Sequence, residues 1–301
     1  MAAPRVAMVM NAGTAHLGGV GSREGIAREK STIARGLQPA GLFVVQGDQD
    51  HLLSVALGES LPPAGRVIGF GTRGMNLFRL ASRTQHADGS QEVVAGTPRG
   101  KVRFTLRLPG AHNAMNAVGA LAALATLGLP VDRVLEAFAR VEPADMRLVR
   151  ADIGGIAVFN DAYNANPDSV MAAVRTFAEL ASGAGRRVVA LGDMLELGDE
   201  GPALHERVGR DLATAFGGGA PDLCIACGNL CRHLADGLLA AAPQARVERC
   251  ADLATEAPRL AALLQPGDAL LVKGSRGSGM ERLVSAISLA REAKIAGSPG
   301  R

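Results

Sequence analysis

The chain is poor in aromatic residues: its 301 residues include no tryptophan and one tyrosine, Tyr163. No uninterrupted apolar run approaches the roughly 20 residues that a membrane-spanning helix needs, which excludes a membrane span. Basic and acidic residues nearly balance, 32 against 29, so the chain offers no basic stripe for nucleic acid. Residues 1–5 lack the charged, apolar and cleavage-site regions of a signal peptide, so we expect a cytoplasmic protein.

Cysteine is also scarce, with four residues in the whole chain. Cys224, Cys227 and Cys231 have a C-x2-C-x3-C spacing that invites comparison with metal sites. A tetrahedral zinc site needs four ligands, however, and only His233 and Cys250 are available to complete the set. We therefore favour buried free thiols, with a metal site as the lesser alternative. A disulfide is not expected in a reducing compartment.

The pattern of apolar residues predicts an α/β fold with two domains, residues 1–145 and 146–301. Hydrophobic residues make up 48% of the chain and charged residues 20%, which is enough for two domains with real cores. In the first domain, short alternating runs between 66 and 108 predict an antiparallel sheet portion. From residue 156 onward strands and helices alternate, which predicts a doubly wound, mostly parallel sheet like that of dinucleotide folds.

Residues 160–169 place two carboxylates, one tyrosine and three amides in a single turn. They follow an apolar run typical of a strand and precede an apolar-periodic stretch typical of a helix. Asn166 is the expected N-cap of that helix and Pro167 its first residue. Turns at the carboxyl ends of strands are where ligands bind in open α/β sheets. The alternative is an ordinary polar turn, because Asn, Asp and Pro are turn residues anyway.

A second candidate site combines His16, which also follows a predicted strand, with Lys30 in a helix predicted over residues 22–37. A neutral imidazole can ligate a divalent metal, and a nearby lysine can offset phosphate charge. The alternative is a loop histidine and a solvated lysine.

A third candidate lies where an alanine- and leucine-rich helix begins. Asn113 and Asn116 are three residues apart and share one face of its first turn. Their amides can recognise a flat heterocycle through paired donor and acceptor bonds. The alternative is simple helix capping.

Six segments carry a resemblance to a known family: residues 11–16, 21–30, 112–117, 160–169, 191–198 and 272–277. In this order and spacing they resemble the Mur ligases of peptidoglycan synthesis. The runs Asp-Ala-Tyr-Asn-Ala-Asn-Pro and Leu-Gly-Asp-Met-Leu-Glu-Leu look like the MurF type, and the Asp-Asn-Pro-Arg motif usual in the tripeptide ligase is missing. Among the departures, Met146 stands where glycine is usual.

The resemblance implies an ATP-dependent amide ligase that adds D-alanyl-D-alanine to UDP-MurNAc-tripeptide, with Mg2+ as its metal ion. The donor carboxylate becomes an acyl phosphate, which the amine of the acceptor attacks. Because two anions must meet, metal ions and cationic side chains should do most of the work. We expect a monomer.

The resemblance also implies roles for individual residues. His16 matches a magnesium ligand, and Lys30 matches a lysine that is often carbamylated and can then bind metal. Arg147 matches the hinge arginine that reaches the nucleotide phosphates, and Asp161 an aspartate that contacts the nucleotide. The remaining residues fall near the adenine (Asn113, Asn116), along the binding cleft (Tyr163, Asn164, Asn166) and at an anionic substrate (Lys273, Ser275, Arg276). For the arginines and Lys273, the alternative is a solvated surface residue.

The Gly-Thr-Asn-Gly-Lys-Thr/Ser loop with which Mur ligases hold the ATP phosphates occurs nowhere in the sequence. The nearest candidate, residues 273–279, has its lysine before its glycines and is more typical of a flexible βα turn. We therefore expect the C-terminal part of a central ATP-binding α/β domain followed by the C-terminal domain, with negligible ligase activity alone. A non-catalytic ligand- or partner-binding module is one alternative. A related amide ligase of the folylpolyglutamate or cyanophycin type is the other.

Overall fold

The structure, a computed structural model, describes residues 3–13 and 22–296, with side chains as far as residue 292. The chain divides into two compact units, Met1–Glu142 and Pro143–Arg301, termed unit one and unit two. Each unit is an α/β unit with its own β-sheet and its own apolar core. None of the helices in the described residues combines the length and the hydropathy that crossing a bilayer requires.

Unit one is built on a six-stranded sheet in the order β1-β2-β3-β4-β5-β6. Its strands are β1 (Val6–Val9), β2 (Leu42–Gln46), β3 (Arg66–Gly71), β4 (Phe78–Gln85), β5 (Gln91–Thr97) and β6 (Gly100–Leu106). Strands β1 to β4 pair in parallel, and β4 to β6 pair antiparallel. The predicted antiparallel portion is therefore present, but the assignment of β3 to it was wrong. Strand direction depends on partners that are distant in sequence, and the alternation within β3 does not encode it.

The described helices of unit one are α1 (Arg23–Ser31), α2 (Asp50–Gly58), α3 (Ala111–Thr126) and α4 (Val131–Phe138). Ser22 caps α1, since its side chain accepts the Gly25 amide at 3.0 Å. The helix is shorter than predicted and is followed by a 3-10 turn over Thr32–Gly36. The Thr32 hydroxyl donates to the Glu29 carbonyl at 2.6 Å, a local bond of the kind that bends helices.

Unit two has a second six-stranded sheet in the order β11-β10-β9-β12-β8-β7. Its strands are β7 (Val149–Ile153), β8 (Ile156–Asp161), β9 (Arg186–Gly192), β10 (Leu223–Cys227), β11 (Val247–Cys250) and β12 (Asp268–Lys273). Its helices are α5 (Pro167–Leu180), α6 (Gly201–Leu212), α7 (Cys231–Ala241), α8 (Leu253–Ala262) and α9 (Glu281–Ala296). Strands β8 to β12 pair in parallel, which confirms the predicted mostly parallel sheet. Their carboxyl ends therefore meet along one edge, termed the carboxyl edge.

Strand β7 was not predicted from the sequence. It pairs antiparallel with β8, and three of its five residues are exposed, so it lacks the alternation that marks a half-buried strand. Gly154 and Gly155 connect the two strands with φ values of 60° and 80°, which glycine adopts without strain. The register sets Val149 opposite Asn160, so β7 begins at the carboxyl edge.

Helices α6 and α7 of unit two pack with their backbones in direct contact. A Cβ atom added at Gly209 would overlap the carbonyl oxygen of Leu234, and one added at Gly237 would overlap that of Glu206. Only glycine fits at these two positions of the helix crossing. The start of α7 is thereby fixed against α6, which carries His205.

Candidate functional site

A buried ion pair lies at the carboxyl edge of unit two. Lys273 and Asp161 end β12 and β8 and stand opposite each other in the parallel ladder. The Lys273 ammonium donates to Asp161 Oδ2 at 2.7 Å and to the Asn164 carbonyl at 2.9 Å. Only 4% of the Lys273 side chain and 16% of the Asp161 side chain are exposed. The charge of Lys273 is thus offset within the protein, and its contact with a substrate stays a prediction.

Ser275 holds together the turns that follow β8, β9 and β12. Its amide donates to the Asp193 carbonyl at 3.1 Å, and its hydroxyl donates to the Ala165 carbonyl at 3.2 Å. The same hydroxyl accepts the Leu195 amide at 2.9 Å. Ser275 is only 4% exposed, so its hydroxyl serves these contacts within the protein. Its contact with a substrate stays a prediction.

Two exposed arginines lie at the same edge, on either side of Met146. The guanidinium carbon of Arg147 is 4.3 Å from the centroid of the Tyr163 ring. Arg276 donates from Nη1 to the sulfur of Met146 at 3.6 Å, and the Tyr163 amide donates to the Met146 carbonyl at 3.2 Å. Neither guanidinium is paired with a carboxylate of the described residues. They are therefore suited to an incoming anion.

The backbone on both sides of Arg147 adopts a conformation that residues other than glycine disfavour. Met146 has a φ of 55° and Leu148 a φ of 56°, both in the left-handed region. This explains why glycine suits position 146 in the family that the sequence resembles, because glycine enters this region without strain. Non-glycine residues held in this way cluster at ligand-binding segments.

The side chains of all three asparagines in the 160–169 turn accept a backbone amide, and Asn160 accepts that of Ala162 at 3.2 Å. Asn166 caps α5 as predicted: its side chain accepts the Ser169 amide at 2.9 Å, and the Ser169 hydroxyl accepts the Asn166 amide at 2.9 Å. Pro167 is the first residue of the helix, also as predicted. Asn164 accepts the Ala165 amide with its side chain at 2.8 Å. Contact of these amides with a nucleotide stays a prediction.

His205, Asp193 and Cys231 bring possible metal-ligand atoms within 4.8 Å of one another. The backbone already occupies one atom of each of two of these groups. His205 Nε2 accepts the Met194 amide at 2.9 Å, and Asp193 Oδ1 accepts the amides of Leu230 and Cys231 at 3.0 and 2.8 Å. Asp193 thereby holds the amides at the start of α7, and the residues that the structure describes offer three candidate ligands at this place.

The four cysteines form no disulfide and are all buried, as expected for buried thiols. Burial raises the pKa of the Cys224 thiol to about 12. Burial also raises the pKa of each of the other three thiols above the ordinary value for cysteine. The thiols are accordingly protonated and unreactive at neutral pH.

In unit one, Lys30 donates to the Asn11 carbonyl at 3.0 Å. Both residues line an open cavity of about 390 Å³, together with Met8, Val9, Met10 and Ile33. His16, the predicted metal ligand, lies outside the described residues. Lys30 as an ammonium group is a donor and offers no lone pair to a metal ion.

The two asparagines predicted near an adenine lie in the first turns of α3. The Asn113 side chain donates to the Pro109 carbonyl at 2.8 Å, while Asn116 is exposed. The structure thus leaves the Asn116 amide accessible to solvent and uses part of the Asn113 amide to fix the start of the helix.

Comparison with known families gives two matches along the chain. Residues 1–124 match the Mur ligase middle domain, and residues 146–276 match the Mur ligase glutamate ligase domain. Both matches are to domains of one enzyme family, and they fall on either side of the division between the two units.

Individual relatives agree with these matches. The chain is 30% identical over 286 residues to the UDP-N-acetylmuramoyl-tripeptide--D-alanyl-D-alanine ligase of Bacillus subtilis, covering 94% of this chain and 59% of that protein. It is 32% identical over 289 residues to the Escherichia coli enzyme of the same name, covering 94% and 60%. The chain thus spans about three fifths of the length of these curated relatives.

Solved structures show the same likeness. MurF from Acinetobacter baumannii superposes with a TM-score of 0.80 at 28% identity, covering 95% of this chain and 60% of that one. MurF from Thermotoga maritima, solved in complex with ADP, superposes with a TM-score of 0.78 at 22% identity, covering 97% and 64%. The second likeness is one of fold.

Proposed function

The chain belongs to the Mur ligase family, and from that premise we propose that it acts in an ATP-dependent amide ligase of peptidoglycan synthesis. The substrates proposed are UDP-MurNAc-tripeptide and D-alanyl-D-alanine, and the names of its relatives at 30% and 32% identity support this choice. ATP and a UDP-linked donor are cytoplasmic metabolites, so the proposal implies a cytoplasmic location.

The observation that carries the proposal is the pair of exposed arginines at the carboxyl edge. ATP and the donor carboxylate, which meet in the first chemical step, are both anions, and a guanidinium group binds carboxylate or phosphate through two parallel hydrogen bonds. Lys273 would have to break its ion pair with Asp161 in order to bind an anion, whereas Arg147 and Arg276 have no carboxylate partner among the described residues. We assign Arg147 to the nucleotide phosphates and Arg276 to the carboxylate of a substrate.

In the proposed reaction, a carboxylate oxygen of the tripeptide attacks the γ-phosphorus of ATP, and the bond from that phosphorus to the ADP oxygen breaks. The amine nitrogen of D-alanyl-D-alanine then attacks the carbonyl carbon and loses a proton. Phosphate leaves with the oxygen that came from the carboxylate. The two arginines offset the negative charge that gathers as these groups meet. The Lys273–Asp161 pair and Ser275 hold the turns from which they project.

Mg2+ and adenine enter the proposal through residues of unit one. A bound Mg2+ would supply positive charge against the phosphates. Its proposed ligands are His16, which lies outside the described residues, and Lys30 once carbamylated. Lys30 as an ammonium group donates to the Asn11 carbonyl and cannot ligate Mg2+, so the proposal requires its carbamylation. Asn113 and Asn116 are proposed to contact the adenine.

The proposal is tested by incubating the full chain with ATP, Mg2+, UDP-MurNAc-tripeptide and D-alanyl-D-alanine. One arm adds the portion of the Bacillus subtilis relative that this chain does not match. Mass spectrometry and ADP release are followed in both arms. We expect the pentapeptide product only when both substrates and the added portion are present. Amide formation with glutamate in place of D-alanyl-D-alanine would contradict the proposal and favour a folylpolyglutamate-type ligase.

A pair of variants links the activity to the carboxyl edge. Arg276→Met should lower kcat/KM by about 10- to 100-fold, because it removes hydrogen bonds to a charged group. Arg175→Met, at an exposed arginine of α5, should leave the rate unchanged. Equal rates for the two variants would remove Arg276 from the site.

A further inference from the structure

His205 is a fully buried histidine, with 0% exposure, whose two ring nitrogens are both used by the backbone. Its Nδ1 lies 2.7 Å from the Gly201 carbonyl, which can only accept, so Nδ1 carries the proton. Its Nε2 therefore has a free lone pair, and it accepts the Met194 amide at 2.9 Å. The ring is neutral and held as a single tautomer.

The amide that His205 accepts belongs to the turn that holds Ser275. Met194 stands between Asp193, whose carbonyl accepts the Ser275 amide, and Leu195, whose amide donates to the Ser275 hydroxyl. Both bonds depend on the conformation of this one turn. The next residue after Ser275 is the exposed arginine that begins the 276–278 turn.

We propose that His205 is a positioning residue of the carboxyl edge: by accepting the Met194 amide it fixes the 193–195 turn, and through Ser275 it sets the position of Arg276. Its effect on ligation rests on the proposed function, whereas its effect on the turn does not. His205 itself is buried and does not touch a substrate.

The groups that face the ring decide how it responds to pH. Burial lowers the pKa of His205 below its ordinary value and His233 adds to this, whereas the hydrogen bond to the Gly201 carbonyl and the Asp193 carboxylate raise it. Cys231 is also adjacent, and its thiol stays protonated because burial raises its pKa. Protonation of Nε2 would replace the acceptor with a donor that faces the Met194 amide, and the turn would be released.

Two variants separate the acceptor from the rest of the ring. In His205→Gln the amide oxygen can reach the position of Nε2 and accept the Met194 amide. In His205→Asn the shorter amide reaches only the position of Nδ1, so it can bond the Gly201 carbonyl but leaves the Met194 amide buried and unpaired. Both variants lose the ring, so loss of packing alone would affect both.

The first readout is amide hydrogen exchange of Leu195 and Ser275 in the full chain, expressed as protection factors. We expect His205→Asn to lower both protection factors about ten-fold or more, and His205→Gln to leave them near those of the wild type. The wild type should lose protection at these amides as the pH falls below 6.5, and the glutamine variant should not. The pH dependence of the wild type can be measured even if neither variant folds.

The second readout is the ligation assay described above, in the arm that adds the unmatched portion of the Bacillus subtilis relative. His205→Asn should lower kcat/KM by about ten-fold or more, and His205→Gln should restore it. Equal protection in all three proteins, or equal loss in both variants, would overturn the inference. So would an unchanged ligation rate in an asparagine variant whose turn is released. The predicted exchange pattern without ligation by the wild type would support the role in the turn and refute the proposed function.

Discussion

The buried pair of Lys273 and Asp161 gives the sharpest test of the carboxyl edge as the structure describes it. The perturbation is a double-mutant cycle of Asp161→Asn, Lys273→Met and the two together. Asparagine keeps the shape of the aspartate without its charge, and methionine keeps most of the lysine stem. The single variants each leave one partner without its counter-charge, and the double variant leaves none.

The magnitudes follow from the distance and the burial. At 2.7 Å and an effective dielectric constant of 20, two unit charges attract by about 6 kcal/mol, which desolvation largely opposes. Asp161→Asn leaves a lysine that is 4% exposed, so we expect a loss of about 3–5 kcal/mol in the free energy of unfolding. Lys273→Met leaves a carboxylate that is 16% exposed and can reach some water, so about 1–3 kcal/mol is expected.

The double variant should be no less stable than Asp161→Asn alone, because replacing a buried pair by uncharged groups is often neutral. The coupling free energy should then be at least as large as the loss in Lys273→Met, about 1–3 kcal/mol. The control is the exposed pair of Glu206 and Arg210, with side chains 44% and 49% exposed, for which we expect at most about 0.5 kcal/mol.

The assay is urea unfolding followed by tyrosine fluorescence. Tyr163 is the only tyrosine, the chain has no tryptophan, and position 163 lies in unit two. The signal therefore comes from unit two. Single-variant effects that add to within about 0.5 kcal/mol would refute the reasoning, since they would mean that the two charges do not interact.

Three further predictions concern unit two. Gly209→Ala should destabilise it by about 1–3 kcal/mol because the new Cβ overlaps the Leu234 carbonyl, although alanine normally favours a helix. Gly183→Ala, which meets nothing within 4 Å, should change the same tyrosine-monitored unfolding by less than about 0.5 kcal/mol, and equal losses would contradict the overlap. Because burial lowers the pKa of His205, the unfolded state takes up the proton first. The contribution of His205 to stability is therefore full above pH 6.5 and declines as the pH falls through the folded pKa. If the free energy of unfolding of His205→Gln depends on pH as strongly as that of the wild type, this prediction is wrong. The buried thiols should react with a disulfide reagent only after unfolding, and rapid labelling of the native chain would contradict their raised pKa values.

Local features of the site could be predicted from the sequence, because neighbouring residues determine them. The N-cap at Asn166 and Pro167 as first helical residue are both present, since a capping box closes within four residues. The start of α1 at Arg23, within one residue of the predicted start at 22, is a second example. The alternation of strands and helices after residue 156 likewise predicted the parallel sheet of unit two.

Features that depend on distant partners could not be predicted. Lys273 and Asp161 are 112 positions apart and meet because β12 lies beside β8, an order of strands that the sequence pattern does not specify. The same holds for His205. Its bond to Met194 depends on how α6 packs against the turn after β9, and the spacing of the two residues gives no sign of it. Strand β7 is too exposed to show an apolar pattern.

The most direct test of the proposed chemistry follows one atom. UDP-MurNAc-tripeptide labelled with 18O at both oxygens of its terminal carboxylate is incubated with ATP, Mg2+ and D-alanyl-D-alanine. The chain is present together with the unmatched portion of the Bacillus subtilis relative. The released phosphate and the amide product are analysed by mass spectrometry. If the reaction passes through an acyl phosphate, each phosphate released carries one labelled oxygen and the new amide keeps the other. Unlabelled phosphate alongside amide product would contradict the account.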